Sequence, residues 1–72
     1  MLRNRVKELR ARHGFSQSEL ANYVGVARQT IGFIERGEFS PSLALSLRLA
    51  KYLEVRVDEL FWLEGEDDND KK

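Results

Sequence analysis

Apolar residues recur at spacings of three and four along most of the chain, which is the period of an amphipathic α-helix. Leu2, Val6 and Leu9 fall on one such face and Gly14 follows it, so the pattern predicts a first helix over residues 2–12. Nowhere do apolar and polar residues alternate over several positions, as they do in a half-buried strand. The pattern therefore favours an all-α fold.

The second and third predicted helices are separated by a very short joint. Ser16 and Glu19 have the spacing of a capping box, which predicts the start of a second helix that ends at Gly25. After one further residue, a third helix is predicted over residues 27–36, with Gly37 ending it. Two helices joined by a short glycine-containing turn are typical of a helix-turn-helix unit.

Two more helices are predicted in the second half of the chain. Ser40-Pro41 offers a serine cap and a proline at the first helical position, so a fourth helix is predicted to run from there to about Leu53. A fifth is predicted over residues 57–63, with acids in its first turn. One face of the fourth helix is expected to enter the core: Leu43, Ser46, Leu47, Ala50 and Leu53. A second stripe is expected at its flank: Leu45, Leu49 and Tyr52.

Charge is distributed unevenly along the 72 residues, although 12 basic and 12 acidic side chains cancel overall. Residues 1–63 contain ten Lys/Arg and seven Asp/Glu, a net charge of +3, whereas residues 64–72 have a net charge of −3. We expect one basic domain over residues 1–63, suited to a polyanion, and an acidic, disordered tail over residues 64–72. The alternative for the tail is that it only aids solubility.

Several classes of protein are disfavoured by what the sequence lacks. There is no cysteine, no metal-ligand cluster and no apolar run of about 20 residues, so we expect no disulfide, metal, cofactor or membrane span, and a cytoplasmic location. No Ser-His or Cys-His set and no catalytic pair of titratable groups is recognisable, so an enzyme is not expected.

The exposed face of the predicted third helix differs from an ordinary solvated face. It carries Arg28, Gln29, Gly32, Phe33 and Arg36 rather than a mixture of Glu and Lys. Arg pairs in bidentate fashion with guanine, Gln with adenine, and an apolar side chain contacts the thymine methyl group. Gly32 is expected to allow close approach to a groove wall. The alternative is that Arg28 and Gln29 only face solvent and that Phe33 packs against a neighbouring element.

Several segments resemble the phage Cro/repressor-type helix-turn-helix family, also called the xenobiotic-response-element type. The longest is Phe15–Gly37, which reads FSQSELANYVGVARQTIGFIERG. Val6–Arg10, Ser40–Leu43, Leu49–Lys51 and Val57–Phe61 resemble the family too, so the similarity covers residues 3–61. It implies a compact five-helix, lambda-repressor-like DNA-binding domain that binds a double-stranded operator as a dimer.

The resemblance also implies roles for individual residues. Arg28, Gln29 and Phe33 match base-contacting positions, and Gly32 lies among them. The positions expected to touch the DNA backbone are Gln17, Gly37, Ser40 and Ser42, to which we add the basic residues Arg36 and Arg12. Arg10 and Glu35 match an internal ion pair. The chain departs from the family pattern at Ala27, Glu54 and Arg56, where a cap, a glycine and a cap are usual.

Trp62 and Leu63 have no place in the core that the resemblance implies. With the flank formed by Leu45, Leu49 and Tyr52 they are predicted to form an apolar patch, and such patches mark interaction sites. We therefore expect a two-fold homodimer through the fourth and fifth helices. The alternative is that Trp62 folds back over its own core.

Two functions of different classes are consistent with these features. The first is a sequence-specific transcriptional regulator, acting as a repressor by occlusion, with the third helix in the major groove. No small-molecule ligand is expected, since 72 residues leave no room for a sensing module. The second is an antitoxin-like protein-interaction module with secondary DNA binding. Its tail would have to order on a partner, and residues 64–72 contain no apolar anchor for that.

Overall fold

The computed structural model describes residues 1–65, which form five helices and one two-stranded sheet. The helices are α1 (Val6–His13), α2 (Gln17–Val24), α3 (Arg28–Glu35), α4 (Leu43–Leu53) and α5 (Val57–Leu60). The strands are β1 (Leu2–Asn4) and β2 (Phe61–Leu63). The structure is therefore a small helical domain, and the expected all-α fold is approximate. Most of the predicted acidic tail, residues 66–72, lies outside the described residues.

The predicted first helix is wrong at its start, because residues 2–4 form β1 instead of the first helical turn. Asn4 is the local reason. Its Oδ1 accepts the Val6 N–H at 3.0 Å, and its Nδ2 donates to the Ile34 carbonyl at 2.9 Å. An asparagine that takes a backbone N–H two residues ahead competes with helical hydrogen bonding. The helix therefore begins only after this turn.

The predicted fifth helix is wrong at its end, because residues 61–63 form β2. The two strands pair antiparallel, with Leu2 opposite Leu63 and Asn4 opposite Phe61. Beyond them the Met1 amino group donates to the Glu64 carbonyl at 2.6 Å, and the Glu64 N–H donates to the Met1 carbonyl at 2.8 Å. The ribbon thus joins the two ends of the described chain.

The start of α4 lies two residues later than predicted. Ser42, rather than Ser40, is the N-cap, and its side-chain oxygen accepts the Leu45 N–H at 3.1 Å. Pro41 stands before the cap and not at the first helical position. Ser42 directly precedes the first helical residue and its side chain caps the helix, whereas Ser40 and Pro41 lie in the irregular segment before it.

One apolar core lies between the helices, formed by twelve buried residues: Val6, Leu9, Leu20, Ala21, Val24, Ile31, Ile34, Leu45, Leu49, Ala50, Leu53 and Leu60. The faces of α4 are assigned differently from the prediction. Leu45 and Leu49 are buried, whereas Leu43 and Leu47 are 71% and 51% exposed. Leucine stands at every second position of this segment, so packing against the other helices selects the buried stripe. No helix within residues 1–65 has the length and apolar character needed to cross a membrane.

Candidate nucleic-acid interface

Helices α2 and α3 pack against each other around a three-residue joint. The capping box at the start of α2 is confirmed, since Ser16 Oγ accepts the Glu19 N–H at 3.0 Å and the Glu19 carboxylate accepts the Ser16 N–H at 2.8 Å. Gly25 ends α2 at φ 80°, a left-handed conformation that glycine adopts without steric cost. The N–H groups of Gly25 and Val26 both donate to the Ala21 carbonyl, and these two hydrogen bonds stabilise the joint.

The outer face of α3 is accessible, and it begins with two polar side chains. Arg28 and Gln29 are exposed in the first turn, and Phe33 is 42% exposed one turn later. Gly32 differs from expectation because it is buried and not open to an approaching surface. The Arg36 and Gln17 side chains cover it: a methyl group at position 32 would lie 3.3 Å from Arg36 Nη1 and 3.8 Å from Gln17 Nε2.

A chain of polar contacts links this face to the interior. Arg10 Nε donates to Glu35 Oε2 at 2.6 Å, and the Glu35 side chain is only 4% exposed. Gln17 Nε2 donates to Glu35 Oε1 at 2.9 Å. Arg28 Nη1 in turn donates to Gln17 Oε1 at 3.0 Å. Side chains of α1, α2 and α3 are thereby joined in one network that orients the Arg28 guanidinium.

Every member of this network was predicted as a site residue, but the connections between the members were not predicted. Arg10 and Glu35 were expected as a pair, and Gln17 and Arg28 as separate DNA contacts. An acceptor and a donor on the same amide let Gln17 bridge the ion pair and the outer face. The sequence shows no signal for this bridge, because Gln17 and Glu35 are 18 residues apart. Asn4 was missed as well, although an asparagine near a helix start is a recognisable signal of a turn.

The other residues predicted to contact the DNA backbone lie on α1, in the loop after α3 and at the start of α4. Gly37 adopts φ 77° directly after α3, and Ser40 is exposed in the loop that follows. Ser42 is exposed at the N-terminus of α4, where helix N–H groups and the helix dipole favour an anion. Arg12 extends from α1, and its guanidinium is paired with Glu8 at 2.9 Å on the exposed helix surface.

The residues of the predicted dimer patch are not brought together. Leu45 and Leu49 lie in the core of the protomer, so their assignment to an exposed interface is wrong. Tyr52 stacks on Tyr23, with ring centroids 5.3 Å apart, and remains 39% exposed.

Trp62 and Leu63, the other two members of that patch, are carried outward by β2. They are 38% and 61% exposed, and the Arg5 guanidinium lies 5.3 Å from the centroid of the Trp62 ring. Trp62 therefore packs partly against a charged group of its own chain. An exposed apolar residue remains beside it in Leu63.

Comparison with known proteins identifies the family. A family profile described as Helix-turn-helix matches residues 6–60, which is most of the chain. The chain belongs to this family. The match spans α1 to α5, so the predicted resemblance is confirmed. The ribbon formed by β1 and β2 lies outside the matched region.

Several relatives show how widely the similarity extends. The uncharacterized HTH-type transcriptional regulator YgzD of Bacillus subtilis is 49% identical over 65 residues, covering 90% of this chain and 98% of YgzD. The restriction-modification controller protein C.AhdI of Aeromonas hydrophila is 40% identical with a TM-score of 0.71, over 76% of this chain and 83% of that one. SinR of Bacillus subtilis, solved in complex with DNA, is 37% identical with a TM-score of 0.68, over 74% of this chain and 86% of the chain in that structure.

Proposed function

We propose that this protein is a sequence-specific double-stranded DNA-binding transcriptional regulator that inserts α3 into the major groove. The observation that carries the proposal is the exposed pair Arg28 and Gln29 at the start of α3, one short joint after α2, with Arg28 hydrogen-bonded to Gln17, which in turn donates to Glu35. The family match and the structural similarity to SinR, which was solved in complex with DNA, support this function. The site offers binding groups and no reaction chemistry.

Three side chains read base edges. Arg28 pairs with O6 and N7 of a guanine, and Gln29 with N6 and N7 of an adenine. Phe33 contacts a thymine methyl group, which removes part of its exposed ring from water. Each good bidentate pair discriminates against the wrong base by about 1–3 kcal/mol. Gly32 makes no direct contact in this arrangement because it is covered by other side chains.

The phosphate backbone is held on both sides of the groove. The N-termini of α2 and α4 present free backbone N–H groups, and Gln17 and Ser42 lie at these two ends. The loop from Gly37 to Ser40 and the guanidinium of Arg12 provide further contacts. Residues 1–63, with a net charge of +3, supply the electrostatic attraction. Phosphate contacts set the register on the duplex, whereas the base contacts set the sequence.

The active form is a two-fold dimer that acts as a repressor by covering its operator in the cytoplasm. Two copies would place their α3 helices in half-sites about one helical turn apart. The exposed Leu63 on β2, together with Trp62, is the surface we assign to the interface. Sedimentation at tens of micromolar is expected to give the mass of two chains. Leu63→Glu is expected to give one, and the control Leu43→Glu, at the end of α4 that faces DNA, is expected to leave the dimer intact.

The direct test is selection from a random duplex pool at about 150 mM salt, followed by sequencing of the bound fraction. Enrichment of a palindrome is expected, with one base preference per half-site lost in Gln29→Ala. A salt titration of the selected site is expected to have a slope of about −0.9 for each phosphate contacted. Weak binding without enrichment would contradict the proposal and favour the protein-interaction module. A monomeric mass for the wild type would contradict the proposed dimer but not the proposed DNA binding.

A further inference from the structure

The side chain of Arg36 lies against the backbone of α3 and does not extend from the helix end. Arg36 is the C-cap residue of α3, one turn after Gly32. Long side chains on a helix lean toward its N-terminus and cover the residue four positions earlier. Here that residue has no Cβ, and a methyl group placed on it would lie 3.3 Å from Arg36 Nη1 and 3.9 Å from Cζ. The glycine therefore provides the space in which the guanidinium lies.

Two further contacts hold the guanidinium in this position. The Phe33 ring lies beside it, with Arg36 Cζ 5.2 Å from the ring centroid. Glu38 Oε1 lies 3.3 Å from Arg36 Nε. The carboxylate lies on the Nε side, and within residues 1–65 no side-chain hydrogen bond is formed by the two terminal nitrogens. The ring and the carboxylate favour this placement of the guanidinium, although the Arg36 side chain is 54% exposed.

The head of Arg36 also lies close to Gln17, which is hydrogen-bonded to the proposed base-reading residue Arg28. Gln17 Nε2 is 3.8 Å from the same point above Gly32, and Gln17 Oε1 accepts from Arg28. The Arg36 guanidinium is thereby placed about one turn nearer the start of α3 than its own Cα atom. A residue at the end of α3, expected from sequence to reach a phosphate, is brought beside side chains assigned to the groove.

We propose that Arg36 is a specificity-determining residue that reads a guanine, and that Gly32 is the positioning residue that permits it. The inference rests on the DNA-binding function proposed above. Two parallel N–H donors on a planar guanidinium match the O6 and N7 acceptors of guanine, a match that the single ammonium of lysine does not reproduce. Gly32 thus acts through Arg36 and not by approaching the DNA.

The test is a binding-site selection with the wild type, Arg36→Lys, Gly32→Ala and the double variant. The wild type is expected to enrich a guanine at one position per half-site, and Arg36→Lys to lose about 5- to 150-fold of that discrimination. The salt slope should be unchanged, since the charge is kept. Gly32→Ala is expected to weaken the same preference, because the new methyl group would lie 3.3 Å from Arg36 Nη1 and would shift the guanidinium away from α3.

Three controls separate this effect from its alternatives. Alanine in a helix interior is more favourable than glycine, so the melting temperature of Gly32→Ala should not fall. The double variant should bind no worse than Arg36→Lys alone, because both changes remove the same contact. Arg56→Lys, at an exposed arginine paired with Asp58, should keep every base preference.

The outcomes distinguish this inference from the function on which it rests. If the wild type selects a palindrome but Arg36→Lys and Gly32→Ala keep all its preferences, the assignment to base reading is overturned. If Arg36→Ala then weakens binding equally for all sequences and lowers the salt slope by the amount expected for one phosphate contact, Arg36 contacts a phosphate instead. If the wild type itself selects no sequence, the proposed function fails and the inference fails with it.

Discussion

Breaking the buried ion pair is expected to cost far more than replacing it. The Glu35 side chain is 4% exposed and the Arg10 side chain 15%, so Glu35→Leu leaves a guanidinium in the interior without its carboxylate. Such a loss costs about 3–5 kcal/mol. We expect about 3 kcal/mol, because Arg10 Nη1 still donates to the Phe15 carbonyl at 2.9 Å. A domain of this length has a total stability of only about 4–10 kcal/mol.

The double variant Arg10→Met/Glu35→Leu provides the comparison. Because no charge is left unpaired, its free energy of unfolding is expected within about 1 kcal/mol of the wild type. Its DNA affinity should nevertheless fall about 10-fold, since Gln17 loses the acceptor that anchors it and, through it, Arg28. Stability and binding would then be separated in one protein that still folds.

Urea unfolding at one fixed protein concentration measures these differences. With an m value of about 1 kcal/mol/M, Glu35→Leu should lower the midpoint by about 3 M, and the double variant should lie near the wild type. A single variant within about 1 kcal/mol of the wild type would show that Glu35 is not energetically buried. A double variant as unstable as the single one would show that these two positions require polar groups.

Two predictions concern helix ends. Ala27 caps α3 without a side-chain acceptor at φ −73° and ψ 152°, close to the φ −75° and ψ 165° of Ser16. In thermal unfolding, Ala27→Ser is therefore expected to raise the free energy of unfolding by about 1 kcal/mol and Ser16→Ala to lower it by as much, each moving Tm by about 4–8 °C. No gain from Ala27→Ser would mean that the hydrogen bond from the Thr30 N–H to the Ala27 carbonyl already satisfies this helix end. Glu54 ends α4 at φ 60°, a left-handed conformation that strains a residue with a side chain. Glu54→Gly is therefore expected to raise the free energy of unfolding by about 0.5–1 kcal/mol in the same assay, and a decrease would show that the backbone is not strained there.

Features that depend on neighbours in the chain were predictable from the residues themselves. Ser16 and Glu19 are three residues apart, and their capping box is present as expected. Gly25 and the short joint after it define the helix-turn-helix unit, and α3 lies within one residue of the predicted bounds at each end. Such contacts close within one turn, so the local sequence contains all the groups that form them.

Features that depend on distant partners were not predictable in this way. Residues 2–4 and 61–63 have no strand pattern of their own, and each becomes a strand only because the other is beside it. Leu43, Leu45, Leu47 and Leu49 are equally apolar, so only packing against the other helices determines which two are buried.

The candidate site also combines features that the sequence predicts with features that depend on tertiary structure. Four of the five residues predicted on the outer face of α3 are exposed there, because the period of a helix assigns its faces, whereas Gly32 is buried. How Gln17 bridges Glu35 and Arg28, and why Arg36 lies over Gly32, depend on side chains from three helices meeting in space. The sequence by itself determined that five helices form and most of the chemistry they present, since these arise from short-range periodicity. Only the tertiary structure decided the orientation of that chemistry, since packing and long-range hydrogen bonds set it.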